Sequence, residues 1–248
     1  MSRRLLALLH AKGPSDAIVQ FLMRQPAFRA AHLVEVAEAS LPFLESDSPV
    51  VMGGAVAAIR WMPVASPAFV DAMLRSAEQV IPHVASQSAG DLAGMLAASR
   101  DPRAHALLRR LLEEGHEQVV TALASFGDPD DLPKLGAMLA EPGQGGGAEE
   151  HLAYLPEILY KTYGDGATPY LENALHARPG RFTTRNIVWQ LMAAGDPAGF
   201  QYALQAIEDK GVSRIDIIQA LKAQFPELKT ADDEAILAFV KERAGPER

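Results

Sequence analysis

The chain has no cysteine among its 248 residues. Disulfides, thiolate metal sites and a cysteine nucleophile are therefore excluded. Aromatic residues make up only 6% of the chain against 48% hydrophobic residues overall, so the core must consist mostly of small aliphatic side chains, which suit closely packed helices. Basic residues are outnumbered as well: 23 Lys and Arg face 31 Asp and Glu. The resulting net charge of -8 disfavours binding along a nucleic-acid phosphate backbone.

Long apolar runs are also lacking. The most apolar internal stretch, residues 50–59, ends at Arg60 and is too short to cross a bilayer. The apolar run that follows Arg4 is only about five residues long, which is below the length of a signal-peptide core. No segment alternates apolar and polar residues as a half-buried strand does. The sequence therefore predicts an all-α cytoplasmic protein with no membrane partner.

What the chain does contain is a repeated helix start. A Ser, Thr or Asp stands directly before a proline six times, and each pair opens an apolar-periodic run. The short oxygen-bearing side chain can accept from the free N–H groups of the first turn, and proline at the next position has no N–H to leave unpaired. The six pairs are Ser48-Pro49, Ser66-Pro67, Asp101-Pro102, Asp128-Pro129, Thr168-Pro169 and Asp196-Pro197.

The turns before these prolines carry a second regularity. Gly-Asp-Pro occurs at residues 127–129 and 195–197, and Arg-Asp-Pro at 100–102 is a variant. From Pro67 onward the prolines of these pairs recur at intervals of about 27–40 residues, which is the period of helical repeat arrays. Over roughly residues 50–210 the pattern resembles HEAT-like (armadillo-type) repeats, whose helix pairs commonly carry Asp and Pro at their internal turns. The resemblance implies a right-handed α-solenoid of about six or seven helix pairs.

The expected organisation is a single contiguous array. Residues 1–47 form an N-terminal helical cap, 48–210 the HEAT-like repeats, and 211–248 a C-terminal cap. A glycine-rich stretch at 142–148 interrupts the repeats and is interpreted as an inserted loop, since it lacks the Lys-Ser/Thr of a phosphate-binding loop. Capping-box-like starts near Ser213 and Thr230 predict the closing helices.

In HEAT-like solenoids the second helix of each pair lines the concave surface. Spacing of i, i+4 and i+7 selects the polar stripe of each such helix in this chain. The stripe comprises Asp71, Arg75, Glu78, Arg103, Arg110, Glu114, Asp130, Lys134, Glu172, His176, Gln201 and Gln205. The opposite faces are expected to pack the core with Phe69, Met73, Leu107, Leu111, Leu135, Leu139, Leu171, Leu175, Tyr202 and Leu204.

The sequence allows two interpretations of this stripe. It is a solvated face whose ion pairs within each helix contribute a few tenths of a kcal/mol each, or it is a groove for a protein partner. The acidic balance of the chain favours a partner with a basic patch, because opposite charge speeds association. The predicted function is non-catalytic protein binding through the concave face, in a narrower form as an inhibitor or immunity-type protein that blocks a toxin or enzyme.

One locally basic segment suggests an alternative. Arg178, Arg181 and Arg185 precede or begin a helix that Thr183 or Thr184 would cap. Three arginines at a helix start could hold an anion, which would make the protein an enzyme or a binder of a small phosphorylated ligand. The other interpretation is an inter-repeat turn whose arginines pair with neighbouring acids.

The sequence gives less support for the binding of a metal, a cofactor or DNA. Glu113 and His116 have the Glu-x-x-His spacing of a helical metal site, but no second such motif occurs, and Gly115 between them is expected to end the helix. We expect no metal and no cofactor. Some alkylpurine DNA glycosylases are built on this solenoid type, but duplex binding calls for a basic concave face, which this stripe is not.

Overall fold

The structure of the chain is a computed structural model that describes residues 25–60, 67–84, 86–140, 152–177, 181–209 and 213–245. All regular structure in these ranges is helical and none of it is strand, which confirms the all-α prediction for them. By its internal contacts the chain divides into two compact units, Met1–Phe126 (unit 1) and Gly127–Arg248 (unit 2).

Unit 1 contains six described α-helices. They are α1 (Pro26–Ser40), α2 (Pro49–Ile59), α3 (Pro67–His83), α4 (Ser86–Ala98), α5 (Pro102–Glu113) and α6 (Val120–Ala124). Short 3-10 turns at Leu41–Glu45 and Glu117–Val119 precede α2 and α6. From α2 onward each helix contacts the next helix and also the next but one, so that α2 packs on α4, α3 on α5, and α4 on α6.

Unit 2 contains seven described α-helices. They are α7 (Leu132–Ala140), α8 (Leu155–Tyr163), α9 (Thr168–Ala177), α10 (Arg181–Ala193), α11 (Pro197–Glu208), α12 (Ser213–Gln224) and α13 (Asp233–Ala244). The next-but-one contacts recur here, with α7 on α9, α8 on α10, α10 on α12, and α11 on α13. The glycine-rich stretch at 142–148 lies outside the described residues.

Two of the predicted Asp-Pro starts form as expected. Oδ1 of Asp101 accepts from the backbone N–H of Arg103 at 2.8 Å, and Oδ1 of Asp196 accepts from that of Ala198 at 2.8 Å. In both cases proline occupies the first turn, where its missing N–H is harmless. Ser48 also precedes a helix that begins with proline, but its side chain makes no capping hydrogen bond.

Other predicted starts are displaced. Asp128 accepts from the N–H of Asp130 at 3.0 Å and so closes a turn, while α7 begins only at Leu132. Thr168 is itself helical, because a 3-10 turn at Gly164–Ala167 runs directly into α9. Near the C-terminus Asp232, rather than Thr230, caps the last helix by accepting from Ala235 N–H at 2.9 Å. Ser66 lies outside the described residues.

The turns before the Asp-Pro pairs share one backbone conformation. Gly127 and Gly195 have φ of 75° and 74°, the left-handed region that glycine adopts without strain. Arg100 occupies the equivalent position with φ of 55° and is the one non-glycine residue of the described ranges with positive φ. Its guanidinium Nη1 donates to the carbonyl oxygens of Ser125 and Phe126 at 2.8 and 3.0 Å, so the side chain satisfies backbone at the end of α6.

The core is mostly aliphatic in both units, and among the described residues each unit has one buried aromatic side chain, Phe69 in unit 1 and Phe200 in unit 2. Eight of the ten predicted core residues are buried; Tyr202 and Leu204 are only half-buried. On α11 the buried side chains are instead those of Phe200, Ala203 and Ile207. The ring of Phe200 lies 6.0 Å from that of Phe225 and 6.4 Å from that of Phe239, centroid to centroid, which ties the last three helices together. None of the described helices is long and apolar enough to span a bilayer.

Candidate functional site

The first part of the predicted stripe forms a groove on unit 1. Asp71, Arg75 and Glu78 stand at i, i+4 and i+7 on α3, and α5 packs beside this helix. The space between the two helices has a volume of about 680 Å³. It is lined by Asp71, Leu74, Arg75, Glu78, Arg103, Ala106, Leu107 and Arg110. We call this space the α3–α5 groove.

The buried faces of the two helices determine which side chains reach the groove. On α3, Met73, Ala77 and Val80 are fully buried and direct the polar stripe outward. On α5, Leu108 and Leu111 do the same. Because 3.6 residues make one turn, residues three and four apart come to lie on the same outer face. Leu74, Ala106 and Leu107 then supply an apolar surface between the charged side chains.

An ion pair joins the two helices at one end of the groove. Nη2 of Arg103 on α5 lies 2.8 Å from Oδ1 of Asp71 on α3. The same guanidinium reaches Oδ2 of Asp101 at 2.6 Å, and its Nε donates to Oδ1 of Asp101 at 3.0 Å. Arg103 is therefore shared between the cap of its own helix and a carboxylate of the neighbouring helix.

A second ion pair joins the helices at the other end. The guanidinium of Arg110 on α5 donates to the carboxylate of Glu78 on α3, and its Nε lies 3.9 Å from Oε1 of Glu114 one turn further along. Both side chains of the Arg110–Glu78 pair are more than half exposed, at 51% and 59%. An exposed pair of this kind contributes only about 0–1 kcal/mol to stability. The main effect of the Arg110–Glu78 pair is to hold the two side chains in place.

Arg75 differs from the other two arginines. It is exposed, and it makes no hydrogen bond or ion pair with any residue that the structure describes. The two acids on its own helix that it could reach, Asp71 four residues before and Glu78 three residues after, are held by Arg103 and Arg110. The lining thus carries three guanidinium groups and two carboxylates, both already paired. Arginine charge and apolar surface are what the groove offers to a ligand.

Electrostatics at the capped end reinforce this arrangement. The side chain of Arg103 and then its backbone N–H donate to Asp101, and together they hold the pKa of that carboxyl below its ordinary value. The carboxylates of Asp101 and, next, Asp71 in turn raise the pKa of Arg103 above its ordinary value. Both groups are therefore charged across the whole physiological pH range.

The remaining stripe residues lie in unit 2 and are not gathered into a comparable groove among the described residues. Asp130, Lys134 and His176 are exposed, and Glu172 is half-buried. The side chain of Gln205 is exposed as well. Gln201 serves the fold, since its Nε2 donates to the carbonyl oxygen of Ala244 at 3.1 Å and so satisfies the end of α13.

The predicted anion site is described only in part. Arg178 lies outside the described residues, as does the side chain of Arg181, with which α10 begins. Arg185 is exposed, and its guanidinium lies 5.5 Å from the ring centroid of Phe182. The predicted cap at Thr183 or Thr184 is wrong, because both threonines are buried inside the first turns of a helix that starts before them.

The Glu-x-x-His spacing marks a helix end, as expected. Helix α5 ends at Glu113, and Gly115 follows with φ of 92°. The N–H of His116 then donates to the carbonyl oxygen of Leu111 at 3.0 Å, a hydrogen bond typical of a helix that ends at a glycine in the left-handed conformation. Glu113 and His116 are therefore not on one continuous helical face.

The predicted stripe includes the five charged residues that line the α3–α5 groove but not Leu74 or Ala106, and the ion pairs of the groove were not predicted. Sequence reasoning anticipated pairs within each helix, whereas two of the pairs join α3 to α5. It also placed Leu107 in the core, where that residue is buried but still lines the groove. Comparison of the chain with protein-family models, with curated protein sequences and with solved structures finds no significant match.

Proposed function

We propose that this chain is a non-catalytic protein-binding module that holds its partner at the α3–α5 groove. The observation that carries the proposal is the groove itself: an open space of about 680 Å³ in which one arginine pairs with none of the described residues and leucine and alanine side chains are accessible. Exposed apolar surface rimmed by oriented charges is typical of protein interaction sites.

We further propose that each unit is a HEAT-like α-solenoid segment. Contacts between next-but-one helices in both units support this, because stacked helix pairs place alternate helices side by side. The shared left-handed turn before Asp101, Asp128 and Asp196 supports it as well, since a repeated turn conformation is expected of repeated units. In such an array the stripe on α3 and α5 belongs to the second helices and lines the binding face.

A narrower form of the proposal is a cytoplasmic inhibitor or immunity-type protein that blocks a toxin or enzyme. Its support is the cysteine-free, acidic chain, whose net charge of -8 would speed association with a basic target. Within the α3–α5 groove, in contrast, the charge without a described partner is the cation Arg75.

Site-specific photocrosslinking tests the proposal. A benzoylphenylalanine would replace Ala106, which is exposed in the groove, and the matched control would replace Ala98, which is exposed on α4 outside it. In cells that make the protein, we expect one crosslinked partner from position 106 and none from position 98. Arg75→Glu in the position-106 chain should abolish that crosslink. Equal crosslinking from both positions, or a crosslink that Arg75→Glu leaves unchanged, would refute the groove as the binding site.

A further inference from the structure

We infer that the α3–α5 groove recognises a short acidic segment of its partner: a stretch of chain with one Asp or Glu side chain between apolar side chains. The inference rests on the proposed function and specifies the chemistry of the partner. It follows from three properties of the groove: its charge, its length and its apolar surface.

The charge of the groove depends on Arg75, whose guanidinium pairs with none of the described residues. Asp71 and Glu78 flank Arg75 on α3, yet both are bound by arginines of α5. Arg103 also pairs with Asp101, and Arg110 lies close to Glu114, so each of these two arginines has acidic partners on both helices. Arg75 is thus the guanidinium of the lining that no described carboxylate neutralises. One carboxylate of a partner would pair with Arg75, because the planar guanidinium can bind it through two parallel hydrogen bonds. A doubly charged phosphoryl group would leave one negative charge uncompensated.

The length of the groove suits a segment of polypeptide better than a small carboxylate. The two ion pairs involve Asp71 and Glu78, which are seven residues apart on α3, so they stand about 10 Å apart along the helix axis. About three residues of extended chain span that distance. Arg75 lies between the two pairs, and the groove is open along its length.

The apolar surface of the groove favours apolar side chains on either side of the acidic residue. Leu74, Ala106 and Leu107 lie in the lining beside the arginines. Apolar side chains next to the carboxylate would cover this surface, and burial removes apolar area from water at about 25 cal/mol per Å². Exclusion of water would also strengthen the ion pair with Arg75.

The test is a selection of random displayed peptides on the intact protein, followed by fluorescence polarisation with the recovered peptides. We expect recovered sequences that carry one Asp or Glu among apolar residues and that compete with the crosslink from position 106. Arg75→Gln should weaken their binding about tenfold or more, the effect expected for loss of a hydrogen-bonded charge. The matched control Arg185→Gln, at an exposed arginine of unit 2, should leave binding unchanged.

Charge reversal completes the test. Arg75→Glu should lose the acidic peptide and gain the peptide in which its carboxylate residue is replaced by Lys. Groove-bound peptides rich in Lys or Arg, or a phosphoserine version that binds more tightly than the Glu version, would overturn the acidic-segment inference and leave the proposed function standing. Absence of any groove-bound peptide would overturn the inference too, and the crosslink from position 106 would then decide the proposed function separately.

Discussion

The ring of Tyr170 on α9 packs directly against the backbone of Gly136 on α7. A Cβ added to Gly136 would lie 2.7 Å from both Cβ and Cγ of Tyr170, which is closer than any real contact of this type. We therefore expect Gly136→Ala to destabilise the protein by about 1–3 kcal/mol, the usual effect of overpacking a tight helix contact. Urea unfolding followed by circular dichroism would measure the change.

A matched substitution separates this clash from the general effect of removing glycine. Gly94 lies on the exposed side of α4, and a Cβ there would meet nothing within 4 Å. Gly94→Ala should stabilise the protein by about 0.5–1 kcal/mol, because alanine loses less backbone freedom on folding. Equal effects of the two substitutions would contradict the close α7–α9 contact.

Because Arg100 has the left-handed conformation, we expect glycine at this position to lower the stability less than alanine does. Arg100→Ala removes the hydrogen bonds to Ser125 and Phe126 and keeps the strained φ of 55°. Arg100→Gly removes the same bonds but relieves the strain. We expect the glycine variant to be more stable than the alanine variant by about 1 kcal/mol in thermal or urea unfolding. The reciprocal Gly195→Ala should be destabilising, and a neutral result there would argue against the left-handed turn.

The helix caps predict a difference between two superficially similar Xaa-Pro starts. Asp196 accepts a hydrogen bond from Ala198 N–H, whereas the side chain of Ser48 accepts none from the start of α2. Asp196→Ala should lower the free energy of unfolding by about 1 kcal/mol. Ser48→Ala should change it by less than about 0.5 kcal/mol. Similar losses from both substitutions would show that Ser48 caps its helix in solution.

The lowered pKa of Asp101 predicts a pH-dependent contribution to stability. Arg103 favours the ionised carboxylate in the folded state, so the unfolded chain, with a pKa of about 3.9, binds a proton first as the pH falls. The stabilisation is complete above about pH 5, one unit above the unfolded pKa, and is lost as the pH falls from there through the lowered pKa. Asp101→Asn should therefore be less stable than the natural chain at pH 6, and the gap should narrow at pH 3. A gap that stays constant between these pH values would contradict this.

The helix starts illustrate which parts of the fold could be predicted from the sequence. Asp101 and Asp196 cap as predicted because the cap, the proline and the apolar run are all local. Asp128 carries the same local signal, yet its side chain closes a turn and α7 starts four residues later. Both outcomes satisfy the same N–H groups, so the local sequence does not decide between them.

In the candidate site, too, the sequence predicts what a single helix determines but not what the packing of two helices determines. Helical spacing identified Asp71, Arg75 and Glu78 as one face, because that relation depends on a single helix. The partners of Asp71 and Glu78 depend on how far α3 and α5 are shifted along each other, which a buried interface determines and no local pattern records. The unpaired state of Arg75 follows from that shift, and for the same reason it could not be predicted.

The ion pairs of Arg103 and Arg110 affect the side-chain entropy that binding of the proposed partner would cost. Both side chains are oriented by carboxylates of the protein itself. A long charged side chain that becomes immobilised loses about 1.5–2 kcal/mol of rotamer freedom. At the α3–α5 groove the proposed partner would impose that loss on Arg75 alone instead of on three arginines. The cross-helix pairs, which add little to folding, would thus reduce the entropic penalty of recognition.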